Sequence, residues 1–335
     1  MIQQFQIDIT NQCNLKCRHC RNGDLKPEEI TMLTYEECVK VFDEARQLGC
    51  QSVNISGGEP LMHPDIYRII AYTSQYCYTS LLTNGYIIDD EVAKKLTETG
   101  LHMAQISLDS SVPEKHNELR ASEQAFARIE RACSVLRQYG IRVCFMTTLS
   151  KRNKEEFSDI LKLASDMGIS FVNFRRLIPQ GRGCDNFNEL GLSRSEISDI
   201  LEQAKELEAD YEIGICLFPF YPFRSSEMRQ VYRENTMHTP ESGCSAGVSG
   251  LAIASDGSIL LCPHIPKALG NIRETPLYKI WFENEVILQL RDREKNLGGS
   301  CGNCEFKNAC GGCRAYPYQE TGDLLGEDTL CFINT

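Results

Sequence analysis

The chain has 335 residues, 35 Lys+Arg against 46 Asp+Glu, a formal net charge of −11 and 17 Cys. With 42% hydrophobic and 24% charged residues it is an ordinary globular composition, which excludes disorder and collagen-like repeats; the acidic balance argues against a nucleic-acid partner. Apolar runs are only a few residues long, and the start, MIQQFQIDITNQC, is no secretory signal, so no membrane span and a cytoplasmic location are expected. In a reducing compartment, an odd and large set of cysteines points to metal or redox chemistry rather than disulfides.

Phe5, Ile7 and Ile9 alternate as a first strand. A helix follows with Cys38, Val41, Phe42, Ala45 and Leu48 on one face. Strands are expected at 52–55, 79–83, 103–108, 142–147 and 170–174, each followed by a helical pattern. Ala125, Ile129, Ala132, Cys133 and Leu136 mark one such helix; Phe157, Ile160, Leu161, Ala164 and Met167 mark the next; Ile197, Ile200, Leu201, Ala204 and Leu207 mark the last. Gly49, Gly100, Gly140 and Gly168 sit where left-handed helix caps fall. Six β-α units imply an α/β fold with a parallel sheet, closing as an open or partial barrel; a flat doubly wound sheet is the alternative. Either way, chemistry gathers on the rim after the strands.

The rhythm stops near residue 210. Residues 1–210 are expected as one domain, 211–240 as a linker, and 241–335 as a small metal-stapled module with a hairpin at 251–254 and 259–261 around Asp256-Gly257.

Directly after the first strand comes Cys13-x3-Cys17-x2-Cys20. Three thiolates on one loop can wrap an iron–sulfur cluster and leave one iron open; zinc completed by His19 or a distant residue is the alternative. On the same rim lie Ser56-Gly57-Gly58-Glu59-Pro60, whose glycines permit close backbone approach and whose Glu59 can accept from an ammonium. Ser107 and Asp109 offer a hydroxyl and a carboxylate for a ribose, and Arg175, Arg176 and Arg182 suit a carboxylate.

The loop CNLKCRHC, with SGGEP, resembles the radical S-adenosylmethionine (SAM) enzymes over about residues 5–210. The resemblance implies a partial (β/α)6 TIM-like barrel in which Cys13, Cys17 and Cys20 bind a [4Fe–4S] cluster whose fourth iron is chelated by SAM. By position, Gly57, Gly58 and Glu59 would hold the SAM amino group and Ser107 and Asp109 would lie near its ribose. The residue before the third cysteine, often aromatic against the adenine, is His19 here. Such enzymes cleave SAM reductively to a 5′-deoxyadenosyl radical that abstracts hydrogen from substrate.

Cys244, Cys262, Cys301, Cys304, Cys310, Cys313 and Cys331 are similar to the SPASM extension, a Cys-rich C-terminal Fe–S module; a zinc ribbon is the alternative for the motif alone. By that pattern Cys301, Cys304, Cys310 and Cys331 would hold one auxiliary [4Fe–4S] cluster, and Cys244, Cys262 and Cys313 the other, for three clusters in all. Cys310 and Cys313 are one residue closer than in many members. The fourth ligand of the inner site is open to His238, Cys216, water or substrate. Cys38 and Cys133 read as core packing.

The resemblance implies a ribosomally made peptide as first expectation, modified by cross-linking, oxidation or epimerisation. Oxidative decarboxylation of tetrapyrrole propionates is the alternative, and a non-catalytic zinc or Fe–S binding protein a third. The chain starts at its first strand, so a separate protein is expected to supply any leader-peptide binding. A ferredoxin or flavodoxin donor is implied, with Lys151-Arg152-Asn153-Lys154 as a candidate dock.

Overall fold

A computed structural model describes residues 1–207, 213–218 and 243–331. Its centre is a ten-stranded sheet. The first seven strands are β1 (Gln4–Thr10), β2 (Ser52–Gly57), β3 (Tyr78–Thr83), β4 (Met103–Ser107), β5 (Arg142–Leu149), β6 (Phe171–Arg176) and β7 (Gly214–Phe218), lying side by side in sequence order, all parallel. A doubly wound sheet reverses its strand order partway. This one never does, and the sheet remains open at both edges among the described residues, which is the order of a partial barrel.

The predicted apolar faces are the ones buried. Phe5, Ile7 and Ile9 of β1 are fully buried, as are Cys38, Val41, Phe42 and Ala45 of α1 (Tyr35–Gln47). That helix starts at a reciprocal cap: Glu37 N–H donates to Thr34 Oγ1 at 3.1 Å, and Thr34 N–H donates to the Glu37 carboxylate at 2.9 Å. Four further helices cover the sheet: α2 (Ile66–Thr73), α3 (Asp90–Glu98), α5 (Ala125–Gln138) and α6 (Phe157–Asp166). Helix α4 (Pro113–Arg120) precedes α5 and has no counterpart in the sequence patterns, because Glu, Lys, His, Asn and Arg dominate it. Gly49, Gly100, Gly140 and Gly168 all have the positive φ expected of caps.

The other face of the strands is polar. Gln105 donates to Asn54 at 3.0 Å across it, and Gln6 and Asn173 lie on the same face of their strands.

Two expectations are corrected. Within the segment 211–240, residues 214–218 form β7 and pair with β6. The hairpin expected in a separate module is part of the main sheet: β8 (Gly250–Ile253) pairs in parallel with β1, and β9 (Ser258–Leu260) and β10 (Ala268–Asn271) extend that edge antiparallel. The free edge of β1 takes up the hairpin because an unpaired parallel edge leaves backbone groups unsatisfied. Helices Leu277–Glu283 and Glu285–Arg291 then seal Trp281, Ile287 and Leu290 into the same apolar core. No helix among the described residues is long and apolar enough to cross a membrane.

The basic stretch at 151–154 is largely neutralised. Arg152 pairs with Glu118 and Glu189, Lys154 pairs with Glu155 and Glu196, and buried Asn153 donates to the Asp109 and Thr148 carbonyls. Ion pairs of this kind leave little net field to draw in an acidic partner.

Candidate active site and metal centres

Cys13, Cys17 and Cys20 lie on the loop leaving β1, and three neighbouring segments grip it. From β2, Gly58 N–H donates to the Thr10 carbonyl at 2.7 Å and Glu59 N–H to the Gln12 carbonyl at 2.8 Å. Gly57 has φ +141°, and a Cβ there would sit 2.1 Å from the Thr10 oxygen; one on Gly58 would sit 2.2 Å from the Gln12 oxygen. The two glycines are thus required by contact with the cysteine loop itself, where sequence reasoning suggested approach to a ligand. Gly58→Ala should displace that loop, and iron assay of anaerobic protein should show about four irons fewer per chain. An undiminished iron content would contradict this packing.

From the segment after β6, Arg182 Nε donates to the Cys17 carbonyl at 2.8 Å, with Gly23 and Asp24 also bound, and Gly183 N–H donates to the Cys20 carbonyl at 3.1 Å. Arg182 therefore shapes the loop rather than waiting for a substrate carboxylate. From α4, the Leu119 carbonyl accepts from Arg18 N–H at 2.8 Å, and Arg120 Nη1 reaches Cys17 Sγ at 3.7 Å. Leu15 N–H points at Cys13 Sγ at 3.5 Å and Asn22 N–H at Cys20 Sγ at 3.4 Å.

Each thiol thus meets a hydrogen-bond donor, the environment that stabilises cluster thiolates. Burial pushes the Cys13 thiol up to about 11 and raises Cys17 as well, so ionisation near neutral pH calls for a cation beside them. None of the 17 cysteines is joined in a disulfide. Among the described residues no three His, Cys, Asp or Glu side chains are grouped to hold a single metal ion. In a cubane cluster each thiolate binds its own iron, and a donor set of sulfurs fits iron.

Glu59 is fully buried and burial raises its carboxyl to about 7. One oxygen accepts from Leu61 N–H at 3.1 Å and Thr83 Oγ1 at 2.8 Å; the other accepts from Asn84 N–H at 2.8 Å. Asn84 passes the contact on to Asn14 at 2.8 Å and toward Cys13 Sγ at 3.9 Å. Glu59 so ties the turns after β2 and β3 to the cysteine loop, and its second oxygen retains an acceptor position.

Asp109 corrects an expectation. It is fully buried, and protein groups surround the carboxylate that was expected near a ribose. Thr148 N–H donates to one oxygen at 3.0 Å; Arg120 Nη2 lies 2.6 Å from the other, and His19 Nε2 3.5 Å from it. Burial pushes the Asp109 carboxyl up, but the Arg120 guanidinium, with the Thr148 N–H, overcomes this and holds it at about 2. Burial keeps His19, lowered to about 4, neutral. Ser107 ends β4 half-buried, opposite Met146.

Several of the C-terminal cysteines lie near one another. The charges of Cys244 and Cys313 both bear on Cys262, which lies just after β9. The charge of Cys331 bears on Cys310, and Arg293 lies close enough to feel Cys244, Cys310 and Cys301. Cys244 N–H donates to the Cys310 carbonyl at 2.9 Å. Sulfurs again meet donors: Phe306 N–H to Cys304, Gly312 N–H to Cys310 and Asp328 N–H to Cys301, each at 3.4 Å, with Arg314 Nη2 at 3.7 Å from Cys301. Gly311 and Gly312 take consecutive positive φ values of 65° and 61°, which closes the short Cys310–Cys313 spacing. Cys216 lies on β7 opposite Asn173 and near Arg175; His238 lies outside the described residues.

Sequence reasoning missed Arg120, Asp328, Arg293 and Arg314. Asp328 is fully buried and binds Arg176 with both oxygens, at 3.1 and 2.7 Å, while accepting from Cys313 N–H at 2.8 Å. That removes Arg176 from the list of substrate-facing arginines. Arg175 is exposed on the inner face of β6, and its charge bears on Cys144, Cys216, Cys262 and His264.

A parallel barrel sheet with a cysteine loop at the first strand and a second cysteine-rich region behind it defines a class of iron–sulfur enzymes. Residues 7–164 match the radical SAM superfamily, and residues 244–305 match the SPASM iron–sulfur cluster-binding domain. An AdoMet-dependent heme synthase of Methanosarcina barkeri is 33% identical over 97% of this chain and 94% of its own. One of Nitratidesulfovibrio vulgaris is 29% identical over 97% and 90%. The solved structure of Streptococcus suis SuiB bound to S-adenosylmethionine superposes with a TM-score of 0.77 at 16% identity, covering 99% of this chain and 77% of that one. The chain belongs to the radical SAM superfamily and carries a SPASM domain. It is a radical SAM enzyme with SAM and iron–sulfur clusters as its cofactors.

Proposed function

We propose that this enzyme oxidatively decarboxylates propionate side chains of a tetrapyrrole, as the heme synthases it resembles would. The observation that carries this reading is 33% identity sustained over 97% of the chain. The peptide substrate expected first has weaker support, since the likeness to SuiB at 16% identity speaks for the fold alone. Cys13, Cys17 and Cys20 would hold the SAM-binding cluster. Cys301, Cys304, Cys310 and Cys331 would hold one auxiliary cluster, and Cys244, Cys262 and Cys313 the other. Gly57, Gly58 and Glu59 would present acceptors to the SAM amino group, with Ser107 toward its ribose. When bound, cluster and SAM supply a 5′-deoxyadenosyl radical. Each propionate would become a vinyl group with loss of carbon dioxide, one hydrogen atom and one electron, for which the bound SAM would supply the hydrogen acceptor and the clusters the electron acceptor.

Arg175 supports the reading, because it presents a guanidinium on the polar inner face where a carboxylate would enter. Arg175→Gln should lower kcat/KM for a propionate-bearing porphyrin by roughly ten- to a hundredfold, the loss of a hydrogen bond to a charged group worth about 1.5–3 kcal/mol. The direct test incubates reduced, reconstituted enzyme with SAM and iron coproporphyrin, or with synthetic peptides. Mass spectrometry should show loss of carbon dioxide and two hydrogens per side chain from the porphyrin. Modified peptide with untouched porphyrin would return the assignment to the peptide class.

A further inference from the structure

The three thiols of the first loop do not have equivalent surroundings. Cys13 and Cys20 accept backbone N–H groups, from Leu15 and Asn22. Cys17 instead faces a guanidinium: Arg120 Nη1 lies 3.7 Å from its sulfur, and both residues are buried. The guanidinium is held from behind. Its Nη2 lies 2.6 Å from Asp109 Oδ2, while the other Asp109 oxygen is fixed by Thr148 N–H at 3.0 Å. The Asp109 N–H donates to His116 Nδ1 at 3.2 Å, which joins the aspartate to α4 one turn before Arg120. Ala121, directly after Arg120, has φ +51° and is the single non-glycine residue with positive φ among the described residues. The helix therefore stops at Arg120 with a strained cap, and the Leu119 carbonyl is left to accept from Arg18 N–H of the cysteine loop.

We propose that Arg120, oriented by Asp109, is a positioning residue that holds the Cys17 thiolate and raises the reduction potential of the cluster bound there. This rests on the assignment of Cys13, Cys17 and Cys20 as its ligands. Reduction adds one electron, taken from an external reductant, to a centre already negative through its thiolates. A buried cation beside one of those thiolates favours the reduced state, because little water screens it. Asp109 limits the effect and fixes the geometry, since an unpaired buried guanidinium would be costly.

The test is an anaerobic redox titration of the holoenzyme followed by EPR, with the cluster identified by the change in its signal on adding SAM. Iron and sulfide content and that SAM response examine the ligand assignment first; the potential then examines Arg120 separately. Arg120→Gln should keep the SAM-responsive signal but lower the reduced-to-oxidised ratio at fixed potential about tenfold, which for one electron is a shift of about 59 mV to lower potential. Arg120→Lys keeps the charge and should stay near the parent value. A glutamine variant with the parent potential overturns the proposal. Should that variant lose its cluster, the lysine variant decides: a loaded cluster at the parent potential supports the proposal, and a tenfold shift or a lost cluster overturns it.

Discussion

Replacing Cys17 with alanine should reduce SAM cleavage to the no-enzyme background while leaving the C-terminal iron in place. Cys17 is buried at 7% exposure beneath Arg120, and its carbonyl is also the anchor for Arg182. The substitution removes one of the three loop sulfurs and strands a guanidinium that faced it. The C-terminal cysteines lie on other segments of the chain, so the iron of the two proposed auxiliary clusters should persist, at about eight atoms per chain against the about twelve that three clusters would give. The measurements are 5′-deoxyadenosine by chromatography and iron by colorimetric assay. Continued formation of 5′-deoxyadenosine at the parent rate would refute the assignment of the whole first loop.

Replacing Asp328 with alanine should cost about 3–5 kcal/mol of stability, the penalty for leaving a buried ion-pair partner uncompensated. Both side chains are almost wholly buried, at 3% and 1% exposure for Arg176 and Asp328. Arg176 belongs to β6 of the barrel, and Asp328 to the C-terminal cysteine region, so one pair joins the two. The same carboxylate accepts from Cys313 N–H, and the Asp328 N–H points at Cys301, so this residue meets both cysteines. Arg176 also stacks over Tyr316, with its guanidinium carbon 4.5 Å from the ring centre, and Tyr316 OH donates to the Leu177 carbonyl at 2.8 Å. Denaturant unfolding of the anaerobic holoprotein, with iron release followed in parallel, is the check. A midpoint unchanged within error would show that the joint is carried elsewhere. The double substitution Arg176→Met with Asp328→Leu should recover part of the loss, because an apolar pair of similar volume avoids the stranded charge.

Much of the barrel was readable from residues alone. Alternation in β1 and the helical spacing of Val41, Phe42 and Ala45 follow from one-sided burial, which leaves its period in the chain. Helix α4 escaped because its residues are mostly charged; it is held by its ends and by buried His116, Leu119 and Arg120 rather than by an apolar stripe. The hairpin at 250–260 was recognised as a hairpin, but its pairing with β1 is a contact between segments more than two hundred residues apart, which local pattern does not encode.

The division is the same at the site. Cysteine spacing, the Gly-Gly-Glu turn and the order of strand and helix are local properties; they implied a parallel sheet with its chemistry on one rim, and they carried the resemblance that implied the enzyme class. Which buried charge answers which was decided only by the tertiary structure. Arg182, Arg176 and Asp109 are all polar rim residues in the sequence, yet folding commits the first to the cysteine loop, the second to Asp328 and the third to Arg120. Desolvation is the reason: a charge removed from water must find its partner within a few ångströms, and only the folded chain brings such partners together.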